Sequence, residues 1–334
     1  MRRGLTPMVA KCKRCGVSNS EIYLAHSNLS LCPDCFMLLT ERKVKHAVET
    51  YRMLSKDDRL GVAVSGGKDS SSLAYMLNNL FRKVDMTLIY IDLGVPEYSK
   101  HCLEKVKLLS KMLERELVVY SLEEELGLTI GDFKGTVYGG KICSACGAIK
   151  RYLFNKIAYD LGLTKIATGH NLDDTVEAIF NFYIEGNVKS LVRLKPHLPK
   201  THPKIVPKIK PLIGLTDMEC QLYAEYRGLP VRVLECQFSR GSRSARRKEL
   251  LNVITERIPS FKHTFINSHF KRLLPILESA AREQGETAIY DCPVCGMPTS
   301  IEGAPCHFCK IIGMVKNKPF KAPGFSPYVK RSLH

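Results

Sequence analysis

The sequence predicts an α/β fold, a parallel sheet with a small zinc ribbon at each end of the chain. Two observations carry that reading. From Leu60 to about Cys236, short apolar runs alternate with stretches of helical periodicity, the pattern of a parallel sheet covered on both faces. On either side stands a C-x2-C…C-x2-C set: Cys12, Cys15, Cys32 and Cys35 before it, Cys292, Cys295, Cys306 and Cys309 after it. Four thiolates on two tight turns satisfy a closed tetrahedral Zn2+ site, and modules this small fold largely around their metal.

Residues 1–45 read as the first ribbon, in which Gly16 lets the backbone turn its amides towards the sulfurs. A helix over 42–54 leads into the central domain, 46–240. Strands are predicted at 60–64, 86–91, 117–120, 165–168 and 230–234, and helices near 70–81, 100–114, 147–161, 173–184 and 216–227. The stretch from Pro196 to Pro211, with five prolines, reads as an extended loop. Asn171 stands near the cap of a helix whose first turn holds Asp173 and Asp174. A basic helical extension follows over 241–287, then the second ribbon over 288–314 and a basic tail over 315–334.

Lys and Arg outnumber Asp and Glu 50 to 33, a net charge of +17. The excess concentrates in Lys195–Lys210 and in the run Arg240-Gly-Ser-Arg-Ser-Ala-Arg-Arg-Lys248, which points to a polyanionic partner, nucleic acid above all. No amphipathic helix carries these charges, and no apolar stretch approaches the roughly 20 residues of a spanning helix. The first residues, Met1-Arg-Arg-Gly-Leu-Thr-Pro7, lack the apolar core of a signal peptide. A cytoplasmic protein with no membrane partner is expected. In so long a chain, thirteen cysteines then argue for metal rather than disulfides.

Residues 65–70 read Ser-Gly-Gly-Lys-Asp-Ser directly after the apolar run Leu60–Val64. A glycine-rich strand-to-helix turn brings backbone N–H groups and a helix N-terminus against an anion. Lys68 adds a mobile positive charge, and Ser65, Ser70 and Ser71 add hydroxyls. The spacing is not that of a Walker A loop. It matches the SGGxDS pyrophosphate loop of enzymes that split ATP between its α and β phosphates and adenylate a substrate. A mere glycine turn leaves unexplained the second element, Gly169-His-Asn-Leu-Asp-Asp174, at the end of another strand-like run. Mg2+ is expected near Asp69 or Asp174. Helix-dipole stabilisation is the bland reading of Asp173 and Asp174.

A third cysteine group, Cys143-Ser-Ala-Cys146-Gly, has no second pair nearby, while Cys236 follows the predicted strand at 230–234. Three cysteines on a strand-end face suit a [4Fe-4S] cluster with one iron left open. They suit equally a persulfide and disulfide system, and spacing does not separate the two. Cys102 and Cys220 fall in helical patterns and read as small core or surface residues.

Together these motifs resemble the TtcA/TtuA family of ATP-dependent tRNA 2-thiouridine synthetases, and its TtuA-like group in particular. SGGKDS at 65–70, Leu88-Ile-Tyr-Ile-Asp-Leu-Gly94, Cys143-Ser-Ala-Cys-Gly147 with Lys150-Arg-Tyr152, GHNLDD at 169–174 and both ribbons are similar to that group. The resemblance implies a pyrophosphate-loop ATPase fold of the adenine nucleotide α-hydrolase type over 46–240. It implies ATP at Ala63, Val64, Ser65, Gly66, Gly67, Lys68, Asp69, Ser70, Ser71, Asp92, Lys150, Gly169 and Asn171, with Lys150, Asp174 and Asp69 catalytic. It also implies that Cys143, Cys146 and Cys236 hold an oxygen-sensitive [4Fe-4S] cluster whose open iron carries the sulfur. The implied reaction adenylates the C2 oxygen of a tRNA uridine and replaces it with sulfur. Position 54 of the T-loop fits the similar subgroup, and the wobble uridine at 34 is the alternative. The implied sulfur donor is a small ubiquitin-like protein with a C-terminal thiocarboxylate, and a homodimer is expected. Around Cys236 the chain reads Glu235-Cys-Gln-Phe-Ser239, a departure from the Cys-Pro-Tyr-Ser of that family. Two rivals come from other classes. A lysidine synthetase-like ligase shares the loop and GH-x-x-DD but needs no thiolate cluster, and a non-catalytic zinc-ribbon RNA-binding protein leaves SGGKDS unused.

Overall fold

A computed structural model describes residues 11–17, 19–239, 243–283 and 288–316, and the backbone of 330–331. The chain opens with the hairpin β1 (Ile22–Leu24) and β2 (Leu29–Leu31), followed by α1 (Pro33–Thr50). Cys32 stands at the N-cap of α1 and Pro33 at its first position, where the missing N–H removes no helical bond. The helix therefore starts nine residues before the 42 expected, and it carries Cys35 into the first ribbon. That ribbon is no separate lobe: Leu24, Leu31 and Phe36 are buried in the same apolar cluster as the central sheet.

The central α/β unit runs β3 (Arg59–Val64), α2 (Lys68–Leu80), β4 (Asp85–Asp92), α3 (Tyr98–Leu113), β5 (Leu117–Ser121), α4 (Leu122–Leu126), α5 (Ile142–Asp160), β6 (Lys165–Ala167) and α6 (Leu172–Ile184). It continues with α7 (Val188–Val192), β7 (His197–Leu198), β8 (Lys208–Ile209) and α8 (Asp217–Tyr226). The sheet order is β11-β5-β4-β3-β6-β8-β7, where β11 is Lys330–Arg331. The strands β5, β4, β3, β6 and β8 are parallel; β7 and β11 are antiparallel edges. Side chains of β4 alternate as the pleat requires. Leu88 and Tyr90 join the cluster under α1, α2, α3 and α8, while Ile89 and Ile91 join the one under α5. From β3 the chain winds one way to β4 and β5 and the other way to β6 and β8. The crevice at the strand ends between β3 and β6 is thus the switch point, where open α/β sheets take ligands.

Beyond it, α9 (Arg243–Arg257), α10 (Phe261–Ser268) and α11 (Leu274–Glu283) pack on α6 and α7 through Val176, Ile179, Leu251 and Ile266. The second ribbon holds β9 (Tyr290–Asp291), β10 (Pro298–Thr299) and α12 (His307–Lys316). It is pinned to α5 by the stacked rings of Tyr152 and Phe308, 3.8 Å between centroids, and to the segment between β7 and β8 by Lys204 Nζ, which donates to Asp291 at 2.8 Å. No helix among the described residues is long and apolar enough to cross a membrane.

Two expectations need correction. Residues 230–234 are extended but pair with no strand; the Arg232 N–H donates to the Gly66 carbonyl at 2.7 Å instead. The proline-rich stretch expected to be a loop supplies β7 and β8, and β8 fills the sheet position beside β6.

Candidate active site and metal centres

The apolar strand β3 ends at Val64, and the chain turns through Ser65, Gly66 and Gly67 into α2. Gly66 adopts φ +72°, and a Cβ there would stand 3.1 Å from the Cys102 carbonyl, so the turn requires glycine. The Ser70 hydroxyl returns to the loop, accepting from Ser65 N–H at 3.1 Å and donating to Gly67 O at 3.0 Å. Ser71 is fully buried, and its hydroxyl is sealed from solvent without a partner, against the expectation of an anion donor. Gly169 brings the second motif hard against the first: a Cβ on it would lie 3.1 Å from Ser70 N.

Beside the loop lies a network of acids and lysines. Lys68 Nζ is 2.7 Å from Asp217 Oδ1 and 3.0 Å from Asp69 Oδ2. Asn171 caps α6 and donates through Nδ2 to Asp69 at 3.1 Å and to Asp217 at 3.2 Å. Asp217 N–H donates to Asp173 at 2.9 Å, Lys262 donates to Asp173, and Lys248 donates to Asp174. Burial disfavours the Lys68 charge, but Asp69 and Asp217 outweigh it and raise its pKa. Burial, helped by Asp217 and Asp174, lifts Asp69 above the ordinary carboxylate range although Lys68 opposes it. Asp217 moves the other way, since its bond to Lys68 overcomes its burial. Burial pushes Lys210 down to about 8, with Lys208 adding to the effect and Asp174 opposing it.

The cysteines at 143 and 146 lie within α5, which starts at Ile142 rather than at 147. Charge on Cys236 opposes the thiolates of Cys143 and Cys146, Cys146 likewise opposes that of Cys143, and Lys150 favours the thiolates of both α5 cysteines. Burial raises the pKa of the Cys143 and Cys146 thiols. Cys143 donates to the Phe238 carbonyl at 3.0 Å, which holds the Cys236 segment against α5. The three sulfurs do not converge within 4.8 Å, as those of the two tetrads do. Thiolates on one tetrahedral ion stand about 3.8 Å apart, so this trio does not suit a single ion, whereas a multi-iron cluster takes each thiolate on a different iron.

Both tetrads fit one ion each. Tetrahedral Zn–S bonds of about 2.3 Å put sulfurs about 3.8 Å apart. Cys15–Cys32 is 3.9 Å, Cys292–Cys309 3.9 Å and Cys295–Cys306 3.7 Å. The thirteen cysteines are all free of disulfides.

Asp92, expected at the nucleotide, accepts from Gly94 N–H at 2.8 Å and stabilises the turn after β4. Ala63 and Val64 form the strand end beneath the loop. Sequence reasoning missed three residues of the cleft. Asp217 reads only as the first residue of a capped helix, whose Thr216 and Glu219 form the capping box. Lys210 reads as part of a surface basic patch. Arg232 lies in the misread strand, yet its Nη1 fills the space a Gly67 Cβ would take, and its guanidinium also packs 5.4 Å from the Tyr98 ring centroid. One expected tRNA contact also changes. Arg247 pairs with the buried Glu177 and Lys248 with Asp174, so only Arg243 and Arg246 of the described basic run are exposed. Arg240 lies outside the described residues.

This fold and cleft define a PP-loop protein, and the PP-loop domain family matches residues 37–250. The 2-thiouridine synthetase TtuA N-terminal LIM domain matches residues 11–37. A tRNA-5-methyluridine(54) 2-sulfurtransferase of Pyrococcus horikoshii is 37% identical, covering 93% of this chain and 96% of its own. One from Thermus thermophilus is 33% identical over 90% of each chain. Among solved structures, the U34-tRNA thiolase NcsA from Methanococcus maripaludis with its [4Fe-4S] cluster is similar. It has TM-score 0.75 and 27% identity, and the match covers 94% of this chain and 98% of that one. The chain belongs to the TtcA/TtuA family of PP-loop 2-thiouridine synthetases.

Proposed function

We propose that the protein is an ATP-dependent tRNA-uridine 2-sulfurtransferase acting at position 54 of the T-loop. The observation that carries this is the joining of two sites by one segment. Arg232 is bonded to the pyrophosphate loop, and four residues on, Cys236 comes within electrostatic range of Cys143 and Cys146, its segment tied to Cys143 at the Phe238 carbonyl. ATP's triphosphate lies against the loop amides, the N-terminus of α2, Lys68 and Arg232, which neutralise charge as it develops. Asp69, Asp174 and Asp217 offer carboxylates for Mg2+. The uridine C2 oxygen attacks the α-phosphorus, the bond to the β-phosphate breaks, pyrophosphate leaves and N3 gives up its proton. Sulfur at the hydrosulfide level then attacks C2, AMP departs with the oxygen, and the sulfhydryl proton passes to N3. Lys150 is placed beside the cysteine face to steady charge at that exchange.

Cys143, Cys146 and Cys236 are the residues to hold a [4Fe-4S] cluster, which when bound supplies one iron without a cysteine ligand as the site for incoming sulfur. The two tetrads hold structural Zn2+, the donor is a thiocarboxylated ubiquitin-like carrier, and the protein works in the cytoplasm as a homodimer. A wobble-uridine activity is the second reading, favoured by the likeness to the U34-tRNA thiolase. The test of ATP chemistry is Lys68→Ala. It is expected to abolish tRNA-dependent AMP release while leaving zinc content and solubility unchanged; wild-type AMP release would refute the assignment.

A further inference from the structure

We propose a third metal site, formed by His26, Glu219 and His263, that binds a zinc-class divalent cation and fastens the first ribbon to the helical extension. His26 lies on the short turn between β1 and β2, Glu219 in the first turn of α8, and His263 on α10. Their ligand atoms lie within 4.8 Å of one another. The imidazole rings of His26 and His263 stack, 4.3 Å between centroids, which sets the two side chains next to each other.

The observation that demands a partner is His263 itself. Both of its ring nitrogens are buried and neither has a hydrogen bond. Such orphaned atoms are rare in folded proteins, and a missing ion is among their explanations. An imidazole nitrogen without a hydrogen bond offers its lone pair to a metal.

Glu219 supplies the negative charge. Its Oε2 accepts from Thr216 N–H and Oγ1 at 2.8 and 3.0 Å, which leaves Oε1 facing Lys43 Nζ at 2.6 Å. Lys43 Nζ is also 3.4 Å from His26 Nε2, so an ammonium now stands where a cation belongs. It satisfies Glu219 but leaves His263 without a partner. A dication bonded to both imidazoles and Oε1 satisfies all three, and Lys43, whose side chain is 24% exposed, turns out to solvent. Two imidazoles and a carboxylate form a donor set that Zn2+ accepts. The site adjoins the nucleotide cleft, because Glu219 shares its helical turn with Asp217, and Lys262 beside His263 bonds Asp173.

The test counts metal in the full-length protein after anaerobic equilibration with Zn2+ and desalting, with iron counted separately. Wild type is expected to hold one zinc more than its two cysteine tetrads take. His26→Gln and His263→Ala are each expected to lose that ion alone, and Lys43→Met to release it more slowly to a chelator. In Co2+-loaded protein the third ion adds visible bands without thiolate charge transfer, and these vanish in His26→Gln. Two zincs in wild type with all eight tetrad thiols protected from alkylation would overturn the site. So would a third ion that persists in both His26→Gln and His263→Ala.

Discussion

Replacing Gly169 with Ala tests whether the two nucleotide motifs work through close backbone approach. The added methyl would stand 3.1 Å from Ser70 N, 3.2 Å from Asp69 C and 3.2 Å from Ser70 Cα. All three are backbone atoms in the first turn of α2, so no side-chain rotation relieves the contact. Overpacking of this kind costs about 1–3 kcal/mol. At about 2–4 °C per kcal/mol for a domain of 150–250 residues, Tm should fall by roughly 2–12 °C. The kinetic effect is expected to be larger. Asn171, two residues on, bridges Asp69 and Asp217 at 3.1 and 3.2 Å, and a shift at Gly169 breaks that bridge. Misplacing groups around a reacting centre by about 1 Å costs about 100-fold, so AMP formation should drop between about 10- and 100-fold. Gly140→Ala is the control, since its Cβ meets nothing within 4 Å. Thermal melts and tRNA-dependent AMP release are the assays. A Gly169→Ala protein with wild-type Tm and wild-type rate would refute the reasoning.

Replacing the exposed Arg243 and Arg246 with Ala should weaken tRNA binding and flatten its log–log salt slope by roughly 0.7–0.9 per lost phosphate contact. Arg247→Ala, which breaks the pair with Glu177, should lower stability and leave that slope unchanged; measured slopes in the reverse order would place tRNA elsewhere. Lys210, depressed to about 8, loses its charge as pH rises through that value, so tRNA-dependent AMP formation should decline above it. Lys210→Arg keeps the charge and should remove the decline, and an identical pH profile would exclude Lys210 from the cleft chemistry. The sign for folding is opposite. The folded state prefers neutral Lys210, so its contribution becomes more favourable from about 8 up to the unfolded value of about 10.4.

The central strands were legible because they are buried on both faces. In β3, for example, Leu60, Val62 and Val64 are all buried, and Gly61 admits the Leu163 and Ile89 side chains. Residues 230–234 have the same apolar look, but β8 already occupies the position beside β6, and Val233 ends 82% exposed. The strands β7 and β8 were hidden because two residues among prolines show no period. Cysteine spacing located the tetrads, since ligand chemistry permits few arrangements. Asp217, Lys210 and Arg232 escaped notice because each belongs to the cleft only through chain returning from far off in sequence. Lys68 and Asp217, 149 residues apart, meet only when α8 packs against α2. The pairing of Arg247 and Lys248 with acids of α6 was equally invisible in a run of like charges.

The central claim is that this cleft replaces the C2 oxygen of a tRNA uridine with sulfur, dependent on ATP and on the three-cysteine face. Protein reconstituted anaerobically with iron and sulfide should be incubated with ATP, sulfide and unmodified tRNA, and the tRNA then mapped by mass spectrometry. The account predicts a 2-thiouridine at position 54 with one AMP released per thiolation. It predicts none from iron-free protein or from Cys143→Ala. Full thiolation by iron-free protein, or tRNA that gains no sulfur while AMP is still formed, would contradict it.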